Sequence, residues 1–180
     1  GVVRRGVAVG GANGVVCEAP ATPPRGALWF WSYCYYLSKY YELLDTFLQM
    51  AKGRRPPSFF LHTYHHAVVL FMSWGWLEYG MSLQYIGMLW NTFVHVVMYY
   101  YYYLKSQGID PWWKRHITQL QVTQFMCSAA FFCVLMYQVH VEGRECKGMP
   151  FAYFNIIFNM TLLVQFMQLL RGGGRRAKKA

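Results

Sequence analysis

The stretch F60-L-H-T-Y-H-H-A-V-V-L-F71 sets His62, His65 and His66 into a run that otherwise reads as an apolar, aromatic helix entering a membrane. Around it the 180-residue chain is 56% hydrophobic and 19% aromatic, with only 13% charged residues. That composition is too apolar and too aromatic for an ordinary soluble domain of this length. The formal net charge of +10 would suit nucleic acid. However, the basic residues fall in short clusters between apolar runs, with no basic face, so no nucleic-acid partner is expected. The five cysteines, Cys17, Cys34, Cys127, Cys133 and Cys146, form no C-x-x-C pair, which leaves a zinc or thioredoxin-like site without support. The first residues, GVVRRGVAVGGANGVV, lack the apolar core of a cleavable signal peptide. The first membrane helix is therefore expected to act as the insertion signal.

Five segments approach the length needed to cross a bilayer, about 20 residues: 28–51, 59–78, 82–104, 117–139 and 151–170. Proline, glycine and charge separate them, and a basic tail, 171–180, follows. The fold expected is all-α and polytopic, with residues 1–16 a low-complexity extension and 17–170 the membrane domain. Lys and Arg alternate between loops. Lys52, Arg54 and Arg55, then Lys105, Lys114 and Arg115, then the tail, fall on one side, which the positive-inside rule makes cytosolic.

With that topology the polar residues cluster at one depth. Lys39, Glu42, Asp45 and Thr46 recur at helical spacing in the first span. The three histidines open the second span near the same surface. Asn91, His95, Tyr99 and Tyr102 form a stripe in the third, and Thr118, Gln121 and Gln124 one in the fourth. A charge at membrane depth costs roughly 2.5–3.5 kcal/mol on insertion scales, so Lys39, Glu42 and Asp45 should face inward. The plain alternative is polar glue between helices, but four stripes converging at one depth favour a site. The opposite halves of the spans read as almost wholly apolar. Asn159, in an N-x-T pattern, lies inside the fifth span and is not expected to be glycosylated.

Three chemistries compete for the histidines. A di-iron centre would need about eight ligands in several boxes, and the chain has six histidines with one cluster. A proton relay would need polar groups continuing to the far side. A pocket open on one side, with an imidazole as base or nucleophile at a carbonyl, agrees best with the depth pattern.

The boxes K39-x-x-E-x-x-D-T46, H62-x-x-H-H66, N91-x-x-x-H-x-x-M-Y-x-Y-Y102 and T118-x-x-Q-x-x-Q124, in this order, resemble the ELO family of very-long-chain fatty acid elongases, nearest the fungal type. The resemblance runs from about Cys17 to the tail. It implies seven spans in a full member, with the last five present here around an acyl tunnel open to the cytosol. It further implies an acyltransferase, a very-long-chain 3-oxoacyl-CoA synthase of the endoplasmic reticulum membrane. Such an enzyme condenses long-chain acyl-CoA with malonyl-CoA, releasing carbon dioxide and CoA, and requires no cofactor or metal. The rival expectation is a non-catalytic paralogue or fragment, or a proton-coupled carrier.

On the family's histidine acyl-enzyme chemistry, the expected nucleophile is His65, assisted by His95, with His62 and His66 orienting the pair. Lys39, Glu42 and Asp45 would position the cluster. Asn91, Tyr99, Tyr102, Gln121 and Gln124 would hydrogen-bond the thioester and pantetheine arm. Lys52, Arg54, Arg55, Lys114 and Arg115 are the candidates for the CoA phosphates. Cys17 and Cys146, both on the lumenal, oxidising side, are the disulfide candidates. The lipid bilayer, the reductase, dehydratase and enoyl reductase of an elongation cycle, and a second copy of the chain are the partners expected.

Overall fold

Each apolar segment satisfies its own backbone as a continuous helix, the arrangement that lipid demands of a spanning segment. The computed structural model describes residues 13–53 and 59–177, and the side chains of all of these except 13, 14, 45, 49 and 172–177. Six helices follow one another: α1 (Asn13–Val16), α2 (Ala27–Ala51), α3 (Phe59–Tyr79), α4 (Gln84–Ser106), α5 (Lys114–His140) and α6 (Met149–Ala177). The described residues contain no strand. By length and composition α5 and α6 are apolar enough to cross a membrane. Charges in α2, histidines in α3 and tyrosines in α4 dilute the other three.

Two boundaries differ from expectation. The stretch up to residue 16 was expected to be an unstructured extension, yet Asn13–Val16 is helical and Val16 is buried in the core. Tyr85 also donates a hydrogen bond to the Val15 carbonyl at 3.3 Å. The last helix runs beyond 170 to Ala177, with no proline to stop it.

The long helices close into a ring. α2 packs on α3, α3 on α6, α6 on α5 and α5 on α4, and α4 returns to α2 through the thinnest of these contacts. Polar side chains share the interior with an apolar core that includes Met72, Leu135 and Leu162, while large aromatic side chains lie on the outside. Lys39, Ser73 and Asn91 are buried, whereas Trp31, Tyr41 and Phe60 are 59%, 74% and 73% exposed. Large apolar side chains outside and polar ones inside are what a lipid solvent selects.

The end of the ring away from the histidines is tied together covalently. Cys17 and Cys146 form a disulfide across 129 residues, with Cα atoms 5.1 Å apart. Beside it Lys147 N–H donates to the Glu18 carbonyl at 2.8 Å, and the Ser82 N–H and hydroxyl both donate to the Lys147 carbonyl, at 3.1 and 3.0 Å. Three chain segments thus meet at one point. Gly148 permits the closest approach: its φ is +68°, and a Cβ there would lie 2.6 Å from Met81 Cα. A crosslink enclosing so long a loop contributes about 2–5 kcal/mol by restricting the unfolded chain. We expect Cys17→Ser and Cys146→Ser each to lower the thermal midpoint of the detergent-solubilised protein, and reduction of the wild type to lower it as far. An unchanged midpoint would show that the hydrogen bonds suffice.

Candidate active site

The site begins with the spacing of α2. Lys39, Glu42 and Thr46 lie three and four residues apart, so they share the inward face, and all three are buried. Lys39 Nζ donates to Glu42 Oε1 at 2.7 Å and to Asn91 Oδ1 at 2.8 Å. It also sits 4.2 Å above the centre of the Tyr35 ring. Tyr35 donates its hydroxyl to the same Asn91 oxygen at 2.7 Å. A lysine ammonium has no acceptor, so the Asn91 atom facing it must be the carbonyl oxygen. The amide is thereby locked, and its N–H groups are turned away from α2. Lys39 and Glu42 cancel in charge, which leaves the neighbouring imidazoles beside a neutral pair.

Four histidines gather around that pair. Thr46 Oγ1 and His62 Nε2 are 2.9 Å apart. The His62 and His66 rings are 4.4 Å apart; His65 meets His66 edge-on at 5.2 Å and stacks on His95 at 6.2 Å. His66 Nδ1 lies 3.7 Å from Glu42 Oε2, and His95 Nδ1 3.5 Å from Glu42 Oε1. A small closure would make Nδ1 of each ring a donor to the carboxylate. Nε2 would then carry the lone pair, the arrangement by which a carboxylate fixes a histidine's tautomer.

A cavity of about 40 Å³ opens beside this cluster, with side chains from all five long helices in its wall. Among the described histidines His65 alone lines it, along with Tyr35 and Asn91. Gln124, Ser128 and Asn155 continue the wall away from the histidines, and a second cavity of about 10 Å³ shares Ser128 and Asn155 and reaches Met81 and Ser82.

The remaining expected residues divide into four groups. Tyr99 contacts His95 with ring centres 6.0 Å apart and in turn meets Tyr102 at 6.4 Å, but both are about half exposed. Gln121, one turn from Gln124, does not reach the cavity wall. Lys52, at the end of α2, and Lys114 and Arg115, at the start of α5, are exposed at the histidine end, while the Asp45 side chain, Arg54 and Arg55 lie outside the described residues. In the same region Lys105 Nζ donates to Asp110 Oδ1 at 3.0 Å, and that hydrogen bond raises the pKa of the ammonium.

The far half is less apolar than the sequence suggested. Ser32 Oγ, Trp76 Nε1, Gln84 Oε1 and Gln138 Oε1 are buried there without partners among the described residues. The apolar average of each helix conceals them, because a single polar side chain per helix scarcely shifts it. All are neutral, so they supply no titratable relay. Tyr35 is masked in the sequence by its aromatic run, and its position four residues before Lys39 is the signal that marks it. Asn159, read only as a glycosylation pattern, donates to Ser128 Oγ at 2.8 Å beside the cavity.

A ring of long helices enclosing a buried Lys-Glu-Asn-His cluster defines a membrane-embedded helical protein with an internal polar site. Over residues 2–178 the chain matches the GNS1/SUR4 (ELO) family, and it belongs to that family. It is 40% identical to fatty acid elongase sre1 of Dictyostelium discoideum, over 77% of this chain and 50% of the relative. It is 36% identical to fatty acid elongase A of the same organism, over 78% and 54%. With very long chain fatty acid elongase 5 of Tachysurus fulvidraco the figure is 36%, over 81% and 50%. The chain spans about half the length of the curated relatives it matches. No solved structure matches it.

Proposed function

We propose that this chain carries the condensing site of a very-long-chain fatty acid elongase, joining a long-chain acyl-CoA to malonyl-CoA to give a 3-ketoacyl-CoA two carbons longer, with carbon dioxide and CoA released. The observation that carries the reading is the placement of His65, the described histidine that both lines the cavity and stacks on His95. His65 attacks the thioester carbon, and CoA leaves as the thiolate and takes up a proton. Malonyl-CoA then loses carbon dioxide, and the enolate left behind attacks the acyl-imidazole carbon and frees the ring. Asn91, its amide N–H groups turned from α2, donates to the oxygen that becomes negative in each half-reaction. His95 steers the malonyl carboxylate, and Glu42 holds His95 and His66 in register.

The histidine end faces the cytosol of the endoplasmic reticulum membrane, where Lys52, Lys114 and Arg115 meet the CoA phosphates, and the acyl tail runs through the two cavities toward the disulfide. Support for this orientation comes from the basic loops at one end and the disulfide at the other. The remaining enzymes of the elongation cycle are the partners this product requires.

The test is conversion of labelled malonyl-CoA and acyl-CoA to 3-ketoacyl-CoA by membranes from cells expressing the chain extended to the length of its relatives. Absence of product would refute the reading. In the same membranes Tyr35→Phe should lower kcat by about tenfold, the loss of one hydrogen bond of roughly 1.4 kcal/mol at an aligning contact. KM for acyl-CoA should hold, because Tyr35 aligns Asn91 for the transition state and does not itself donate to the thioester. A rise in KM with kcat unchanged would show that Tyr35 contacts the substrate.

A further inference from the structure

Thr46 belongs to the inward stripe of α2, yet the condensation gives it no task. It is buried and sits one turn beyond Glu42 on the same face. Its Oγ1 makes two contacts, one to the Glu42 backbone carbonyl at 3.2 Å and one to His62 Nε2 at 2.9 Å. A hydroxyl has a single hydrogen to give. The carbonyl can only accept, so the hydrogen goes there, and Oγ1 turns a lone pair toward His62. The contact with the ring then requires a hydrogen on Nε2. His62 is thereby set apart from its neighbours. Glu42 faces Nδ1 of His66 and Nδ1 of His95, at 3.7 and 3.5 Å, which leaves Nε2 of each for the lone pair. His62 is anchored through the opposite nitrogen, and any lone pair it offers lies at Nδ1. One face of α2 therefore assigns the protons of three rings carried by α3 and α4. The nucleophile feels the assignment through contact: His62 lies 4.4 Å from the His66 ring, and His66 meets His65 edge-on at 5.2 Å.

We infer that Thr46 is a positioning residue: its hydroxyl holds His62 with Nε2 protonated, which withholds that nitrogen from the thioester and fixes the ring on which His66 and then His65 rest. A ring nitrogen that carries hydrogen has no lone pair with which to attack a carbonyl. The four histidines are therefore not interchangeable bases, and the difference is written by α2 rather than by the histidine box itself. The effect on turnover rests on the elongase reading, whereas the proton assignment follows from the contacts alone.

The experiment compares the wild type with Thr46→Val, which keeps the side-chain shape and loses the hydroxyl, and with Thr46→Ser, which keeps the hydroxyl, each in the chain extended to the length of its relatives. Solid-state nitrogen NMR of isotope-labelled histidines in bilayers shows which ring nitrogens carry hydrogen, and the signals missing from His62→Gln identify His62. Wild type and Thr46→Ser should show Nε2 protonated, and Thr46→Val should move that proton wholly or in part to Nδ1. In elongating membranes Thr46→Val should lower kcat by about five- to tenfold with KM for acyl-CoA held within about twofold, and Thr46→Ser should recover most of the loss. A wild-type His62 with a bare Nε2 overturns the inference. So do unchanged His62 signals in Thr46→Val, the result a merely structural hydroxyl would give, and a shifted proton with unchanged kcat. Membranes of the wild type that elongate nothing overturn the elongase reading and the positioning role with it, and the NMR result tells that failure apart from a wrong proton assignment.

Discussion

His65→Ala abolishes elongation, by about 10⁴-fold or more, and also removes the protein-bound acyl group that forms when acyl-CoA is supplied without malonyl-CoA. His95→Ala separates the two half-reactions: it keeps the bound acyl group and slows the condensation by about 10²- to 10³-fold. The difference follows from position. His65 lines the cavity into which a thioester would enter, whereas His95 stacks behind it with Nδ1 toward Glu42. Mass spectrometry of the trapped intermediate is the measurement. A bound acyl group that persists in His65→Ala, on His62 or His66, would move the nucleophile to another ring of the box.

The second large effect concerns the pair beneath the histidines. Glu42→Ala leaves the Lys39 ammonium buried with only Asn91 and the Tyr35 ring for company, and removing one partner of a buried pair costs about 3–5 kcal/mol. Lys39→Met strands the carboxylate to a similar degree. The double variant, Lys39→Met with Glu42→Gln, should recover much of that stability, since neither charge is then left alone, yet it should stay inactive because Asn91 and His95 lose their alignment. Thermal unfolding in detergent, read beside turnover, checks both halves of this statement. A double variant no more stable than either single one would mean that the pair is not the unit.

Both results depend on contacts that the sequence announced only in part. The stripe Lys39, Glu42 and Thr46 was legible because helical spacing sends positions three and four apart to one face, and charge in lipid forces that face inward. The box H62-x-x-H-H66 was legible for the same reason. Gln121 shows where helical periodicity stops being enough. It obeys the spacing that carries Gln124 to the cavity wall, but one turn along α5 the wall is no longer there. Periodicity gives a face, and only packing says where along that face a cavity lies.

The pairing of Cys17 with Cys146 was expected from compartment alone, and its geometry comes from loops meeting where Gly148 has no side chain. The orphaned Trp76 N–H had no signal at all, because tryptophan in a membrane helix reads as packing or an interfacial belt. Nothing local marks an indole whose acceptor is missing. That fact belongs to residues distant in sequence.

The sequence by itself determined the long helices, the inward polar stripes and the histidine box, since each follows from periodicities and solvation costs that act within one helix. Tertiary structure decided which histidine borders the cavity, which way the Asn91 amide faces, and which polar atoms in the far half go unpaired. Those depend on side chains from α2, α3, α4, α5 and α6 arriving at the same few ångströms, a condition set by how the ring closes.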